Sequence, residues 1–142
     1  ARQLLAEPSP ALALSPAADP LRHSLASIAG IDLEAGLIIA RGKLDRYAHL
    51  LNMFVEHNSA YGQRIVAHLN EGDAGIDASG RLAHSLKGIC STLGMTEISG
   101  LAAQLDEGCK QGRPAVDLLP TATVLARAID DLTVAIRQHA RP

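Results

Sequence analysis

Apolar side chains recur at steps of three and four along most of this chain, the spacing that gathers them on one face of an α-helix. The longest stripe holds Tyr47, Leu50 or Leu51, Phe54, Tyr61, Ile65 and Leu69, with Asn58 at the step between. It predicts one helical stretch over about 44–70, with Gly62 as a point where it bends or breaks. Gly72, Asp73 and Gly75 then read as a turn. A second helix is predicted over about 77–93 and is closed by Gly94. A third begins near Thr96, carries Ile98, Leu101, Ala102, Leu105 and Cys109 on one side, and ends at Gly112-Arg113-Pro114. A last helix is expected to begin near Pro120, which suits a first-turn position. Its stripe is Leu125, Ala128, Ile129, Leu132, Ala135 and Ile136. A short helix is predicted ahead of these, opened by Asp32 as N-cap and running to Ile39. No alternating strand pattern and no internal repeat is visible. The expectation is an all-α chain: an antiparallel four-helix bundle with a short extra N-terminal helix.

The start of the chain has a different texture. Four of the seven prolines fall at Pro8, Pro10, Pro16 and Pro20. Each removes a backbone donor and restricts the residue before it. Residues 1–30 therefore read as a Pro/Ala-rich linker, and residues 31–142 as the folded domain. The chain opens on Ala1 rather than Met, which fits a piece cut from a longer protein or a processed chain.

Composition agrees with helices. Apolar residues make up 47% of the chain but aromatics only 2%, so the core must be built from Leu, Ile, Val and Ala, whereas strands favour aromatic and β-branched residues. The net charge of −2 exerts no long-range pull on nucleic acid or anionic membrane. Neither is expected as a partner. No apolar run reaches the ~18 residues of a membrane span, and no signal peptide is visible. A cytoplasmic location is expected, or the cytoplasmic part of a membrane-bound protein. Cys90 and Cys109 form no CxxC pair and no zinc spacing; two reduced core thiols are the plain reading.

The helix over 77–93 carries the candidate chemistry. With His84 at zero and about 100° per residue, Leu82, Leu86, Ile89 and Leu93 gather near the opposite pole. They are the expected core stripe, and His84 faces away from it. Lys87, Gly88 and Ser91 share the His84 face at helical spacing. Gly80 lies one turn before it. Glycine inside a helix costs roughly 1 kcal/mol relative to alanine, so two glycines around one exposed histidine call for a reason other than stability. Clearance for an approaching partner supplies one. Neutral imidazole is a nucleophile near pH 7. Phosphoryl transfer depends mainly on positioning and charge stabilisation, which a nearby lysine provides.

The segment Ala83-His84-Ser85-Leu86-Lys87-Gly88, followed by Ser91 and Gly94, resembles the A-H-x-L-K-G signature of histidine phosphotransfer domains. Leu101, Leu105 and Asp106 are similar to the family's L-x-x-x-L-E. Ile31-Asp32 with Gly36-Leu37 looks like its I-D-x-x-x-G-L opening, and Tyr47, Leu50, Leu51 and Phe54 like its Y-x-x-L-L-x-x-F. The resemblance spans about 31–137. It implies a four-helix bundle that accepts a phosphoryl group on His84 from a receiver-domain aspartate and passes it to another, in two-component signalling. Lys87 would contact the phosphoryl group. Gly80, Arg81, Gly88 and Ser91 would form the face for receiver domains. The chain itself would bind no cofactor; Mg²⁺ is expected on the receiver. Within the family, the proline-rich start suggests the C-terminal module of a hybrid sensor kinase, monomeric in isolation and without kinase activity of its own. The sequence departs from the pattern at Ser79 and Gly80, where bulkier residues are common, and at Asp106, where a longer Glu or Gln is common. Asp106 is assigned no role on this reading.

Three other readings compete with this one. A histidine-kinase dimerisation domain would place an acidic residue and then R-T-P after its histidine, whereas Ser85-Leu86-Lys87-Gly88 stands here. A metal-binding bundle would want paired E-x-x-H motifs; His68 with Glu71 is one reversed pair at a helix end, and no metal ligand is assigned. A non-catalytic interaction module would share the fold and docking face without transferring phosphate.

Overall fold

The computed structural model describes residues 18–141 and contains only helices and turns there. The elements are α1 (Ala18–Ala26), α2 (Leu33–Ile39), α3 (Leu44–Asn58), α4 (Tyr61–Asn70), a 3₁₀ turn (Asp73–Gly75), α5 (Ile76–Thr92), α6 (Thr96–Lys110) and α7 (Ala115–His139). The all-α expectation holds. The long stripe over 44–70 becomes two helices, α3 and α4, broken at Ser59-Ala60. The bundle is made by α3 with α4, and by α5, α6 and α7. The most extensive pairing is α5 with α6, followed by α4 with α7.

The break does not lie at Gly62. That glycine sits inside α4, where an added Cβ would meet the Ala126 Cα at 2.6 Å. Its smallness lets α4 and α7 touch backbone to backbone. The core is aliphatic: Leu51, Ile65, Leu69, Leu86, Leu105, Leu125, Ile129 and Ile136 are all 0–1% exposed.

Two expectations change. The first is the linker. Positions 1–17 lie outside the described residues, but within 18–30 a helix forms, and Leu25 and Ile28 are buried at 1% and 3%. Proline content predicts extended chain locally; burying two large aliphatic side chains, where this segment packs on α3 and α7, outweighs it, at ~2 kcal/mol each. Folded structure thus starts well before Ile31. The second is the last helix, which starts at Ala115. Pro114 is its N-cap, and the Ala115 amide donates to the Asp73 Oδ1 at 2.9 Å. Pro120 is inside the helix and exposed. Its ring removes one backbone donor, but the carbonyl left over belongs to Val116, which is 71% exposed and open to water.

The expected N-cap is present: Asp32 accepts from the Ala35 amide at 3.1 Å. The turn between α5 and α6 is anchored to this start. Gly94 has φ +76, a left-handed conformation, and its carbonyl accepts from the Asp32 amide at 2.7 Å. The Tyr47 hydroxyl donates to the Leu93 carbonyl at 2.6 Å. Burial first, and the Asp32 charge second, push its pKa up to about 12, so it acts as a neutral donor at any physiological pH. This clamp fixes the end of α5 and hence the helix that carries His84.

Candidate functional site

The buried face of α5 is not the apolar stripe that counting gives. Ser79, Ala83, Leu86, Cys90 and Leu93 are buried, whereas Leu82 and Ile89 are only half-buried. The face has turned toward Ala83. Small residues pack closest to neighbouring helices, and a count of large aliphatics overlooks them. The rotation matters for His84. It does not stand at the pole opposite the core but at the shoulder of the α5–α6 seam, with its side chain 63% exposed.

From across that seam α6 presents Asp106. Its side chain is 5% exposed, and one of its oxygens, Oδ2, accepts from the His84 Nδ1 at 3.2 Å, the Lys87 Nζ at 2.8 Å and the Lys110 Nζ at 3.2 Å. The hydrogen bond from Lys87, then those from His84 and Lys110, hold the carboxyl well below the usual carboxylate range against the opposing effect of its burial. It is ionised whenever the protein is folded near neutrality. An ionised carboxylate only accepts. The His84 proton therefore resides on Nδ1, and the exposed side of the ring presents Nε2 with a free lone pair. This is the arrangement a nucleophilic imidazole needs: one nitrogen tied and oriented, the other bare.

Sequence reading gave Asp106 no role, and it did not single out Lys110. A signal existed: Asp106 and Lys110 are four apart on one helix face, and Asp106 stands in the apolar row of Ile98, Ala102 and Leu105. A charged residue in a buried row needs partners. What no spacing argument provides is the pairing of α6 with α5.

The other candidates divide. Arg81, Gly88 and Ser91 are exposed around the histidine. A Cβ on Gly88 would meet nothing within 4 Å, so the surface there is open as expected. Gly80 is different. A Cβ there would lie 3.1 Å from the Cys109 Cβ, so its missing side chain leaves room for α6 and not for a visitor. A groove of about 550 Å³ runs along this seam, between Asp77 and Arg81 on one wall and Cys109 and Lys110 on the other, with His84 at its edge. Lys87 borders a second groove on the opposite side, with Gly88 and Ser91. The two lysines thus flank the imidazole from two directions.

Cys90 is buried and its thiol is pushed up to about 12; Cys109 is half-buried, free, and raised by burial and then by Asp106 and Asp77. His68 faces Glu71 at 3.6 Å at the end of α4. Among the described residues no three His, Cys, Asp or Glu side chains gather into a metal site, and no helix is long and apolar enough to cross a membrane.

Fold and site together define a helical bundle that displays on its surface a histidine oriented by a buried carboxylate. The family model described as Hpt domain matches residues 49–139, more than half of the chain, and the chain belongs to that family of histidine-containing phosphotransfer domains, which work with receiver domains in two-component phosphorelays. No curated protein and no solved structure gives a significant match.

Proposed function

We propose that His84 is the phosphoryl acceptor of this domain, with Nε2 as the attacking atom. The observation that carries the reading is the 3.2 Å contact of Nδ1 with the buried Asp106, which leaves Nε2 as the free, exposed nucleophile. The Nε2 lone pair attacks the phosphorus of a receiver aspartyl phosphate. The N–P bond forms as the P–O bond to the aspartate breaks, and that electron pair returns to the aspartate carboxylate. The ring keeps its Nδ1 proton and becomes cationic. Asp106 balances that charge and holds the ring plane. Retaining the proton also keeps the N–P bond labile, so the same ring passes the group to a second receiver by the reverse step. The metal of this exchange, Mg²⁺, belongs on the receiver's acidic pocket. Arg81, Gly88 and Ser91 form the face that meets it. In the wider relay the chain serves as the phosphotransfer module of a hybrid sensor kinase.

The test is transfer from a ³²P-labelled receiver domain, followed by mapping of the acid-labile, base-stable label. Label on His84 supports the reading. Label elsewhere, or none from any receiver, overturns it.

Lys87 lies one turn beyond His84 on α5. Lys87→Ala is expected to slow transfer about tenfold while leaving His84 phosphorylatable, because the lysine stabilises developing charge without being the nucleophile. Stopped-flow transfer rates for wild type and variant decide this, and equal rates would leave Lys87 as a partner of Asp106 alone.

The open surface at Gly88 gives a second expectation. Gly88→Gln and Ser91→Arg each weaken receiver binding by adding bulk beside the ring. Gly88→Gln leaves the melting temperature equal or slightly higher, since nothing lies within 4 Å of the added carbon and glutamine is the better helix former by several tenths of a kcal/mol. Titration calorimetry and thermal melts read the two effects separately; unchanged binding in both variants places the receiver on another face.

A further inference from the structure

We propose that Gly80 is a positioning residue that sets the depth of the α5–α6 seam, and thereby the reach of Asp106 to the His84 ring. Two contacts lie on adjacent turns of this antiparallel pair. Gly80 faces Cys109, and one turn along α5 and back along α6, His84 faces Asp106. At the first contact a Cβ on residue 80 would stand 3.1 Å from the Cys109 Cβ and 3.7 Å from its Sγ. Carbon atoms prefer ~3.5–4.0 Å. The obstructing atom is a Cβ fixed to the helix, not the end of a mobile side chain, so relief requires the helices to part.

Parting acts selectively at the second contact. Lys87 and Lys110 reach Asp106 on long flexible stems and follow a displaced carboxylate. The His84 ring and the short Asp106 side chain do not. Their contact is already 3.2 Å, so an opening of about 0.5 Å takes it past the ~3.5 Å end of useful hydrogen-bonding distance. A glycine at 80 and an aspartate at 106 are therefore a matched pair: the close seam is what allows so short a carboxylate to orient the ring. This deepens the assignment of His84 as acceptor and rests on it for its activity readout; the ring tautomer reads the spacing directly.

The experiment compares wild type, Gly80→Ala, Asp106→Glu, the double variant Gly80→Ala/Asp106→Glu, and the swap Gly80→Ala/Cys109→Gly. Ring ¹⁵N shifts report the His84 tautomer, and ³¹P NMR follows phosphorylation by phosphoramidate, which needs no receiver. Gly80→Ala is expected to lose the fixed Nδ1–H tautomer and to slow phosphorylation by about three- to tenfold, less than the 10–100-fold typical when the carboxylate behind a metal-bound histidine is removed outright. The longer glutamate, with about 1.5 Å more reach, restores both in the double variant, and the swap restores them by reopening the space. A wild-type tautomer and rate in Gly80→Ala overturn the proposal. So does a loss that neither compensating change recovers, since that is generic damage. If the tautomers follow the expected pattern but no variant, wild type included, is phosphorylated on His84, the acceptor assignment falls and the spacing relation stands.

Discussion

Replacing His84 with glutamine is expected to remove phosphoryl acceptance completely and to leave the fold unchanged. The side chain is 63% exposed and contributes one hydrogen bond, to Asp106. Exposed substitutions of this kind shift stability by about ±0.5 kcal/mol. Glutamine matches the size and polarity of the ring and its amide can donate to Asp106, yet it offers no nucleophilic nitrogen. The expected result is a wild-type melting curve together with no label transferred from a phosphorylated receiver. Residual labelling of the variant would show that another group accepts the phosphoryl, since no partial effect is available when the attacking atom itself is gone.

The second large effect is expected at Asp106. In Asp106→Asn the ring loses its anionic partner and the two lysines lose their shared counter-charge. Transfer should fall by about 10–100-fold, the loss typical when the carboxylate behind a metal-bound histidine is removed. Stability should fall by about 1.5–3 kcal/mol, the range for hydrogen bonds to charged groups, and toward its lower end because Lys110 is 59% exposed and turns to water. The pH dependence has a definite sign. The folded carboxyl is held below its ordinary range, first by Lys87, so folding binds fewer protons there than the unfolded chain does. The stabilisation is complete above the unfolded value near pH 4 and is lost as pH falls below it through the folded value. The margin by which wild type exceeds Asp106→Asn should therefore shrink as pH falls from about 5 into stronger acid. Chemical denaturation of both proteins across that range measures it. A margin that held or grew below about pH 4 would mean that Asp106 is not the charged partner of this cluster.

The sequence alone determined the class of fold, the turns around Gly72–Gly75 and Gly94, the Asp32 cap, and the exposed histidine with its lysine one turn on. Each of these depends on residues close together in the chain: a period of three to four, a capping side chain, a glycine where φ turns positive. It also carried the resemblance that the family match over residues 49–139 bears out. Where it fell short, the deciding contact was distant. The helix at Ala18–Ala26 exists because Leu25 finds a core to enter. The last helix begins at Ala115 because Asp73, far back in the chain, caps its first amide. The buried face of α5 is set by which residues are small enough to admit a neighbour, so Ala83 and Cys90 outrank Leu82 and Ile89. Asp106 gained its place in the same way. Its place in an apolar row says that it needs partners, but only when α6 is laid against α5 do His84, Lys87 and Lys110 converge on one oxygen. Local spacing showed which nitrogen-bearing side chain is exposed. Only the packing of two helices decided which of its nitrogens is free.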